Sequence, residues 1–136
     1  MNIDVATVQI PVLNEMWNEA VRNVLKHRGG SALVDTMTEG VARESLLAYL
    51  IEGRCVWLAR EDETLKAFAV VRRQVIEALY VAPPYRRRGV ARALLRTLQD
   101  GKLAPFDALA LPGDRGTKSL YESIGWKARL LTMHAE

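Results

Sequence analysis

The sequence has few of the residues on which disulfide-stabilised and metal-binding proteins depend. Its single cysteine, Cys55, cannot form an internal disulfide or a cysteine-based metal site, so we expect a reducing compartment and a small buried side chain. Its two histidines, His27 and His134, have no carboxylate or cysteine cluster beside them in the sequence. We therefore predict no metal site, and interpret His27 as complementing a helix end and His134 as solvated.

Long apolar runs and charge of one sign are also missing. No segment approaches the ~20 apolar residues of a membrane span, and the start of the chain lacks the basic and apolar regions of a leader. The 19 basic and 16 acidic residues give a net charge of +3 on a mixed surface, which permits nucleic acid as a partner without indicating it. The expectation is a cytoplasmic protein without a membrane partner.

The chain does contain enough apolar sequence for one core. Its 136 residues are 49% hydrophobic and 26% charged, which are globular proportions. No internal repeat, linker or low-complexity segment divides the sequence. A single domain spanning residues 1–136 is predicted.

The most informative stretch runs from Val75 to Leu98. A strand-forming segment ends at Pro83 and Pro84, which cannot continue a sheet ladder, and a helix with one apolar face follows. The basic turn between them, residues 85–90, presents unpaired backbone N–H groups at the positive end of the helix. This combination is the chemistry of an anion site.

The other periodic segments predict the order of elements around this stretch. A helix begins at Pro11, residues 31–35 are irregular, and Thr36 and Glu39 have capping-box spacing before a second helix. Short connections then favour an antiparallel meander. Strands are predicted at 3–8, 55–59, 66–71, 75–81, 106–111 and 126–133, and a further helix follows the N-cap residue Asp114. The segment 106–111 is apolar enough for a strand covered on both faces.

This order of elements, with a basic Gly-containing turn before the third helix, resembles the GCN5-related N-acetyltransferase (GNAT) family over nearly the whole chain. The matching residues of its two motifs are Arg86, Gly89 and Ala91 in the first, and Asp114, Leu120-Tyr121 and Gly125-Trp126 in the second. The resemblance implies an α/β (α+β) fold. Its central sheet is mixed, mostly antiparallel, flanked by helices and split between the fourth and fifth strands.

The same resemblance implies acetyl-CoA as the acyl donor and assigns its binding to one strand and one loop. Pantetheine would pair with the exposed backbone of strand 79–81, and the loop 86–92 would hold the pyrophosphate. The cofactor-binding residues so implied are Leu79, Tyr80, Val81, Arg86, Arg87, Arg88, Gly89, Val90, Ala91, Arg92, Asp114 and Tyr121. A glycine suits the closest approach of backbone to phosphate, and arginines can add charge-assisted hydrogen bonds.

Other interpretations of this loop stand beside the first. The three arginines can be a solvated charge run, although the flanking strand and helix favour phosphate binding. A P-loop or a dinucleotide fingerprint needs more glycines than Gly89 alone. The Gly113–Gly116 spacing resembles an RNA-binding KH loop, but it follows a predicted strand and one of its middle residues is acidic.

Two residues are the predicted catalytic groups. The family places its general acid at the tyrosine matched by Tyr121, and a phenol remains protonated at neutral pH, so it can protonate the leaving thiolate. Glu77, on the strand expected to face the thioester, is the candidate base for the amine, directly or through water. The alternatives are a half-buried structural tyrosine and a Glu77 that is exposed or paired with an arginine.

The predicted function is transfer of an acetyl group from acetyl-CoA to a primary amine of a small molecule or peptide, by direct attack. A non-catalytic acyl-CoA sensor is the alternative, and an aminoacyl-tRNA acetyltransferase is a third. Only one strand is predicted after the last helix, where the family commonly has two. The uncovered sheet edge suggests the hypothesis of a homodimer.

Overall fold

A computed structural model describes residues 1–38, 40–101, 104–105, 107–133 and 135. The strands are β1 (Asn2–Val5), β2 (Val56–Glu61), β3 (Thr64–Arg72), β4 (Val75–Val81) and β5 (Asp107–Ala108). The helices are α1 (Pro11–Leu25), α2 (Gly30–Thr38), α3 (Leu46–Glu52), α4 (Val90–Asp100) and α5 (Arg115–Ser123). Short 3-10 turns lie at Arg43–Ser45 and Pro83–Tyr85.

The strands form one sheet in the order β1-β2-β3-β4-β5. The first four pair antiparallel as a meander, and β4 pairs with β5 in parallel through Val75 with Asp107 and Ile76 with Ala108. Because this parallel ladder stops after two residues of β4, the strand continues to Val81 without β5 beside it. The predicted mixed sheet, split between its fourth and fifth strands, is confirmed.

The two faces of the sheet are covered by different helices. On one face, Trp17 of α1 packs against Phe68 of β3 at a ring-centroid distance of 5.7 Å, in the cluster that also contains the buried residues of α2 and α3. On the other face, Leu94, Leu95 and Leu98 of α4 pack with Ile76. The amphipathic periodicity of α1 and α4 thus places the sheet between two helical layers.

The region before β2 differs from the prediction. Residues 31–35, predicted to be irregular, belong to α2, where Val34 and Met37 are buried three residues apart. The capping box is also wrong, because the Thr36 hydroxyl donates to the Ala32 carbonyl inside α2, at 2.9 Å. Glu39, the other half of that box, lies outside the described residues, as does His134.

The region after α4 is less regular than the sequence predicted. Of the strand expected at 106–111, only Asp107–Ala108 pairs with β4, and Leu109 is 39% exposed, so the segment is not covered on both faces. Residue 106 lies outside the described residues. Residues 126–133 form no strand, because β5 offers a partner of only two residues. Among the described helices, none has the length and apolar character needed to cross a membrane.

Candidate active site

The site is built on an irregularity in β4. Val70 and Val71 of β3 pair with Ala78 and Ile76, so Glu77 is the extra residue of a β-bulge. The Leu109 N–H donates to the Ile76 carbonyl at 2.9 Å, which is the contact that holds β5 to β4 just before the split.

Beyond the bulge, alternate backbone groups of β4 face in opposite directions. The Ala82 N–H donates to the Lys66 carbonyl at 2.9 Å, so the backbone groups of Tyr80, two residues earlier, also face β3. Those of Leu79 and Val81 therefore point toward the split. Of the three strand residues predicted to bind pantetheine, Leu79 presents both backbone groups and Val81 its N–H, whereas Tyr80 pairs with Phe68.

The loop after β4 leads into α4 with two residues in the left-handed region. Arg87 has φ +63° and Gly89, the N-cap of α4, has φ +80°. No atom lies within 4 Å of the position that a Cβ on Gly89 would occupy, so glycine is needed for its backbone angle and not for space within the free protein. Val90 anchors the helix start, with its side chain buried against Leu94 and Tyr121 in the same cluster.

The backbone N–H groups at this helix start are available to a ligand. The Arg86 N–H donates to the Pro83 carbonyl and the Ala93 N–H to the Gly89 carbonyl. Between these two bonds, no backbone hydrogen bond within the described chain is donated by residues 87–92. The free donors, at the positive end of a helix, form a site for an anion.

The arginines of the loop have different roles. The Arg86 Nε donates to the Val81 carbonyl at 2.8 Å and its guanidinium lies 5.4 Å from the centroid of the Tyr80 ring, so its side chain lies back over the end of β4. Arg87 and Arg88 are exposed. Arg92 donates to the Ser123 hydroxyl at 3.1 Å and thereby ties the start of α4 to the end of α5.

Tyr121 is held inside the site by α5. The Asp114 carboxylate caps this helix by accepting from the Thr117 N–H at 3.1 Å, and the Tyr121 ring stacks on Trp126 at 5.6 Å. Tyr121 is 6% exposed, and its hydroxyl has no hydrogen-bond partner among the described residues. Burial raises the pKa of the Tyr121 hydroxyl above its ordinary value, and the negative charge of Asp114 raises it further.

The bulge residue Glu77 is buried in an ion pair with Arg72, which was one of the alternatives left open by the sequence, although the partner could not be named there. Arg72 donates from Nε to one Glu77 oxygen at 2.5 Å and from Nη2 to the other at 3.0 Å. A third bond, from Nη2 to the Thr36 carbonyl at 3.2 Å, joins the pair to the end of α2. The side chains are 9% and 8% exposed, so the charges are shielded from water.

The turn between α1 and α2 closes the far side of the split. A Cβ on Gly113, just before α5, would lie 3.6 Å from His27 Cδ2, and one on Gly29 would lie 3.6 Å from Leu111. The segment 111–113 continues from β5, so this turn lies against the wall of the split that faces β4. His27 is half-buried there and its Nδ1 lies 2.9 Å from the Asn23 carbonyl oxygen.

Two surface pockets lie elsewhere on the described part of the chain. One of about 350 Å³ is lined by Thr7 to Gln9 and the end of α3, and one of about 260 Å³ lies between α1 and α2 beside Trp17. Neither is lined by a residue of β4, the loop after it or α5. We place the candidate site in the open groove of the split, since the strained loop, the free backbone donors and the buried hydroxyl meet there and not at the pockets.

The described residues contain no group of three or more His, Cys, Asp or Glu side chains that could hold a metal ion. Arg72 and His27 are the site residues that sequence reasoning did not place. Arg72 could have been paired with Glu77 only by knowing that the register between β3 and β4 shifts at a bulge. His27 could have been placed only by knowing how the α1–α2 turn packs.

Comparison with known proteins agrees with this geometry. A family model described as an acetyltransferase (GNAT) domain matches residues 52–128. Among solved structures, a ribosomal-protein-alanine N-acetyltransferase from Brucella melitensis is 25% identical, with a TM-score of 0.63 over 92% of this chain and 83% of that chain. The comparison with curated proteins gave no match.

Two further structures share the fold at lower identity. The aminoglycoside antibiotic 6'-N-acetyltransferase AAC(6')-IG from Acinetobacter haemolyticus is 21% identical, with a TM-score of 0.61 over 100% of this chain and 97% of that chain. The PaiA N-acetyltransferase from Thermoplasma acidophilum, solved with coenzyme A, is 17% identical, with a TM-score of 0.60 over 95% and 92%. Because the matched domain covers more than half of the chain and includes the split, the loop and α5, the protein belongs to the GNAT acetyltransferase family.

Proposed function

We propose that the protein transfers an acetyl group from acetyl-CoA to a primary amine of a small molecule or peptide. The observation that carries this proposal is the open edge of β4. At its C-terminal end, β4 leads into the loop that contains the left-handed Gly89. Beside the bulge, Ile76 packs in the same cluster as Tyr121, whose buried hydroxyl has no hydrogen-bond partner among the described residues. One groove thus offers a backbone edge, an anion site and a buried proton donor.

The residues of the groove suit the chemical parts of the donor. The backbone groups of Leu79 and the N–H of Val81 would pair with the pantetheine amides, and the N–H groups at the start of α4 would hold the pyrophosphate. Arg87 and Arg88 would add charge-assisted hydrogen bonds from the exposed side of the loop. Arg86 already uses its Nε on the Val81 carbonyl, so we assign it to ordering the loop and the strand end.

The proposed chemistry is direct attack of the amine, for which acetyl-CoA supplies the thioester when it is bound. Tyr121 would donate to the sulfur as negative charge develops there. The raised pKa of Tyr121 keeps the phenol protonated but also makes it a weaker acid. Complete transfer of its proton would therefore require that burial of the sulfur also raise the pKa of the leaving thiol.

Glu77 remains the predicted proton acceptor on β4, and its ion pair restricts how it can act. Each of its oxygens accepts a hydrogen bond from Arg72, so proton transfer from the amine would require a bridging water or the release of Arg72. The same observation favours a second candidate function, an acyl-CoA sensor that binds the donor without turnover.

A thiol-release assay separates these two functions. Acetyl-CoA is incubated with a panel of polyamines, amino acids, peptides, aminoglycosides and charged tRNA, and free CoA is measured. Amine-dependent release is expected for at least one class of acceptor. Measurable acetyl-CoA binding in calorimetry, with no release across the panel, would favour the sensor.

A further inference from the structure

We propose that His27 is a catalytic residue, which takes the proton lost by the acceptor amine at the mouth of the split. The inference rests on the proposed acetyl transfer and adds to it the residue that faces the acceptor. The motifs do not include this histidine, and its position at the end of α1 predicted only a helix-end role. Three observations support this role.

The first observation is where the imidazole packs. A Cβ built on Gly113 would lie 3.6 Å from His27 Cδ2, so the imidazole packs beside this glycine. Two residues after His27, a Cβ built on Gly29 would lie 3.6 Å from the Leu111 side chain. Residues 111–113 continue β5 on the far side of the split from Leu79. Because Nε2 is bonded to Cδ2 in the ring, the free nitrogen of His27 lies at this wall.

The second observation is the hydrogen bond that orients the ring. Nδ1 of His27 lies 2.9 Å from the Asn23 carbonyl oxygen, which can only accept, so Nδ1 carries the proton. In the neutral imidazole the other nitrogen, Nε2, then has a free lone pair. The chain thus fixes the tautomer that a proton acceptor needs, with the basic nitrogen on the side of Gly113.

The third observation connects His27 to Tyr121. Side chains of a helix lean toward its N-terminus, and the Tyr121 hydroxyl is close enough to the Asp114 carboxylate to feel its charge. Asp114 follows Gly113 directly, and Gly113 contacts His27. The imidazole and the proton donor for the thiolate are thus both linked to the segment that begins α5, whereas Glu77 is engaged by Arg72.

In the proposed step, the amine nitrogen forms a bond to the thioester carbon and the carbon–sulfur bond breaks. The ammonium first loses one proton to water; as the amine adds, His27 Nε2 takes a second proton from its nitrogen, and the sulfur receives one from Tyr121. Exchange with water returns the proton from His27 to solvent and restores that of Tyr121. An ammonium acceptor and acetyl-CoA thus give an amide, free CoA and one released proton, with no oxidant or metal required.

Two variants test this role against a structural one. His27→Asn keeps a side-chain N–H that can donate to the Asn23 carbonyl but has no Nε2, and His27→Gln places an amide near Nε2 without basicity. Both are expected to lower kcat by about 100-fold, the usual contribution of a positioned base, with unchanged acetyl-CoA affinity and melting temperature. A His27→Asn protein with full kcat would show that the helix-end bond is the only role of this residue.

A second measurement locates His27 without relying on turnover. The sequence has two histidines, so proton NMR shows two sets of ring signals, which His27→Asn assigns, and His134 is the internal reference. Saturating acetyl-CoA should shift the His27 signals, whereas 3',5'-ADP, the fragment of CoA without pantetheine and thioester, should not.

The outcomes separate the two proposals. Wild-type turnover with unshifted His27 signals would refute this inference and leave the acetyl transfer standing. A wild-type protein that releases no thiol with any amine would refute the transfer, and the proton-accepting role of His27 with it.

Discussion

The two walls of the split are built very differently. On the β4 side, six of the seven strand residues pair with β3 and the seventh, Glu77, forms the bulge, while α4 covers the strand with buried leucines. On the β5 side, only two residues pair, and the segment after α5 has no regular structure among the described residues. The wall assigned to the donor is thus rigid and continuous with the core, whereas the wall facing the acceptor is assembled from chain segments that are distant in sequence.

This difference suits the chemistry of the two proposed substrates. A pyrophosphate and a chain of amides can be held by backbone groups, which a strand and a helix start supply in any sequence that allows the geometry. An acceptor amine has to be selected by side chains brought together from α1, the segment after β5 and α5. The following changes test this comparison, from the largest expected effect to the smallest.

The largest effect is expected for Tyr121→Phe, which removes the one unpartnered buried hydroxyl of the groove and leaves the ring stacked on Trp126. Loss of a positioned proton donor should lower kcat by roughly 10²- to 10⁴-fold. The Kd for acetyl-CoA should not change, because the proposal assigns donor binding to β4 and the loop. Steady-state thiol release and calorimetric titration measure the two quantities, and unaltered kcat would remove Tyr121 from the mechanism.

The contrast between the walls also explains what could be predicted from the sequence. The donor wall depends on local rules: prolines end β4, Gly89 adopts a left-handed backbone, and Asp114 caps α5, so motif and structure agree. The predicted catalytic roles of Tyr121 and Glu77, and the homodimer, stay predictions.

The failures lie where distant segments decide the structure. The apolar run at 106–111 predicted a buried strand, but whether it pairs depends on how far β5 stays beside β4. The Arg72–Glu77 pair depends on a bulge in the register, which no spacing in the sequence reports.

The next effect concerns Arg72→Met, which leaves the Glu77 carboxylate buried without its partner. Such a change typically costs about 3–5 kcal/mol of unfolding free energy, because the remaining charge is desolvated. Chemical denaturation measures the loss, and Arg96→Met on the exposed face of α4 is the matched control, with a change of under about 0.5 kcal/mol expected.

The double variant Arg72→Met/Glu77→Leu sharpens this result. Because it removes both charges, it should regain most of the stability lost in the single variant. A double variant as unstable as the single one would mean that the Arg72 contact with the Thr36 carbonyl, and not the buried charge, dominates the loss.

A smaller effect is expected for Gly89→Ala, and Gly40→Ala is its matched control. Both glycines have left-handed φ angles, +80° and +87°, and neither would place a Cβ within 4 Å of another atom. Each variant should therefore lose roughly 1–2 kcal/mol of unfolding free energy from backbone strain alone. Only Gly89→Ala should also weaken acetyl-CoA, by about tenfold in Kd, since its Cβ would stand where the phosphates approach the backbone. Equal acetyl-CoA affinity of the two variants would argue against pyrophosphate binding at this loop.

The smallest effect on stability is expected in the least regular segment, where Leu130 and Leu131 are 86% and 72% exposed beside an edge that pairs through two residues. An open edge next to exposed leucines is usually covered, and the homodimer hypothesis supplies a second copy as the cover. If that holds, light scattering of the wild type at micromolar concentration gives the mass of a dimer, and Leu130→Ser/Leu131→Ser gives a monomer. The unfolding free energy of that monomer should be unchanged within about 0.5 kcal/mol, because neither side chain is buried in a single chain.

Val8→Ser, at a 64% exposed valine far from this segment in sequence, should leave the dimer intact. A wild-type protein that is monomeric across this range would instead leave the irregular wall as a property of the single chain, open for the acceptor to order.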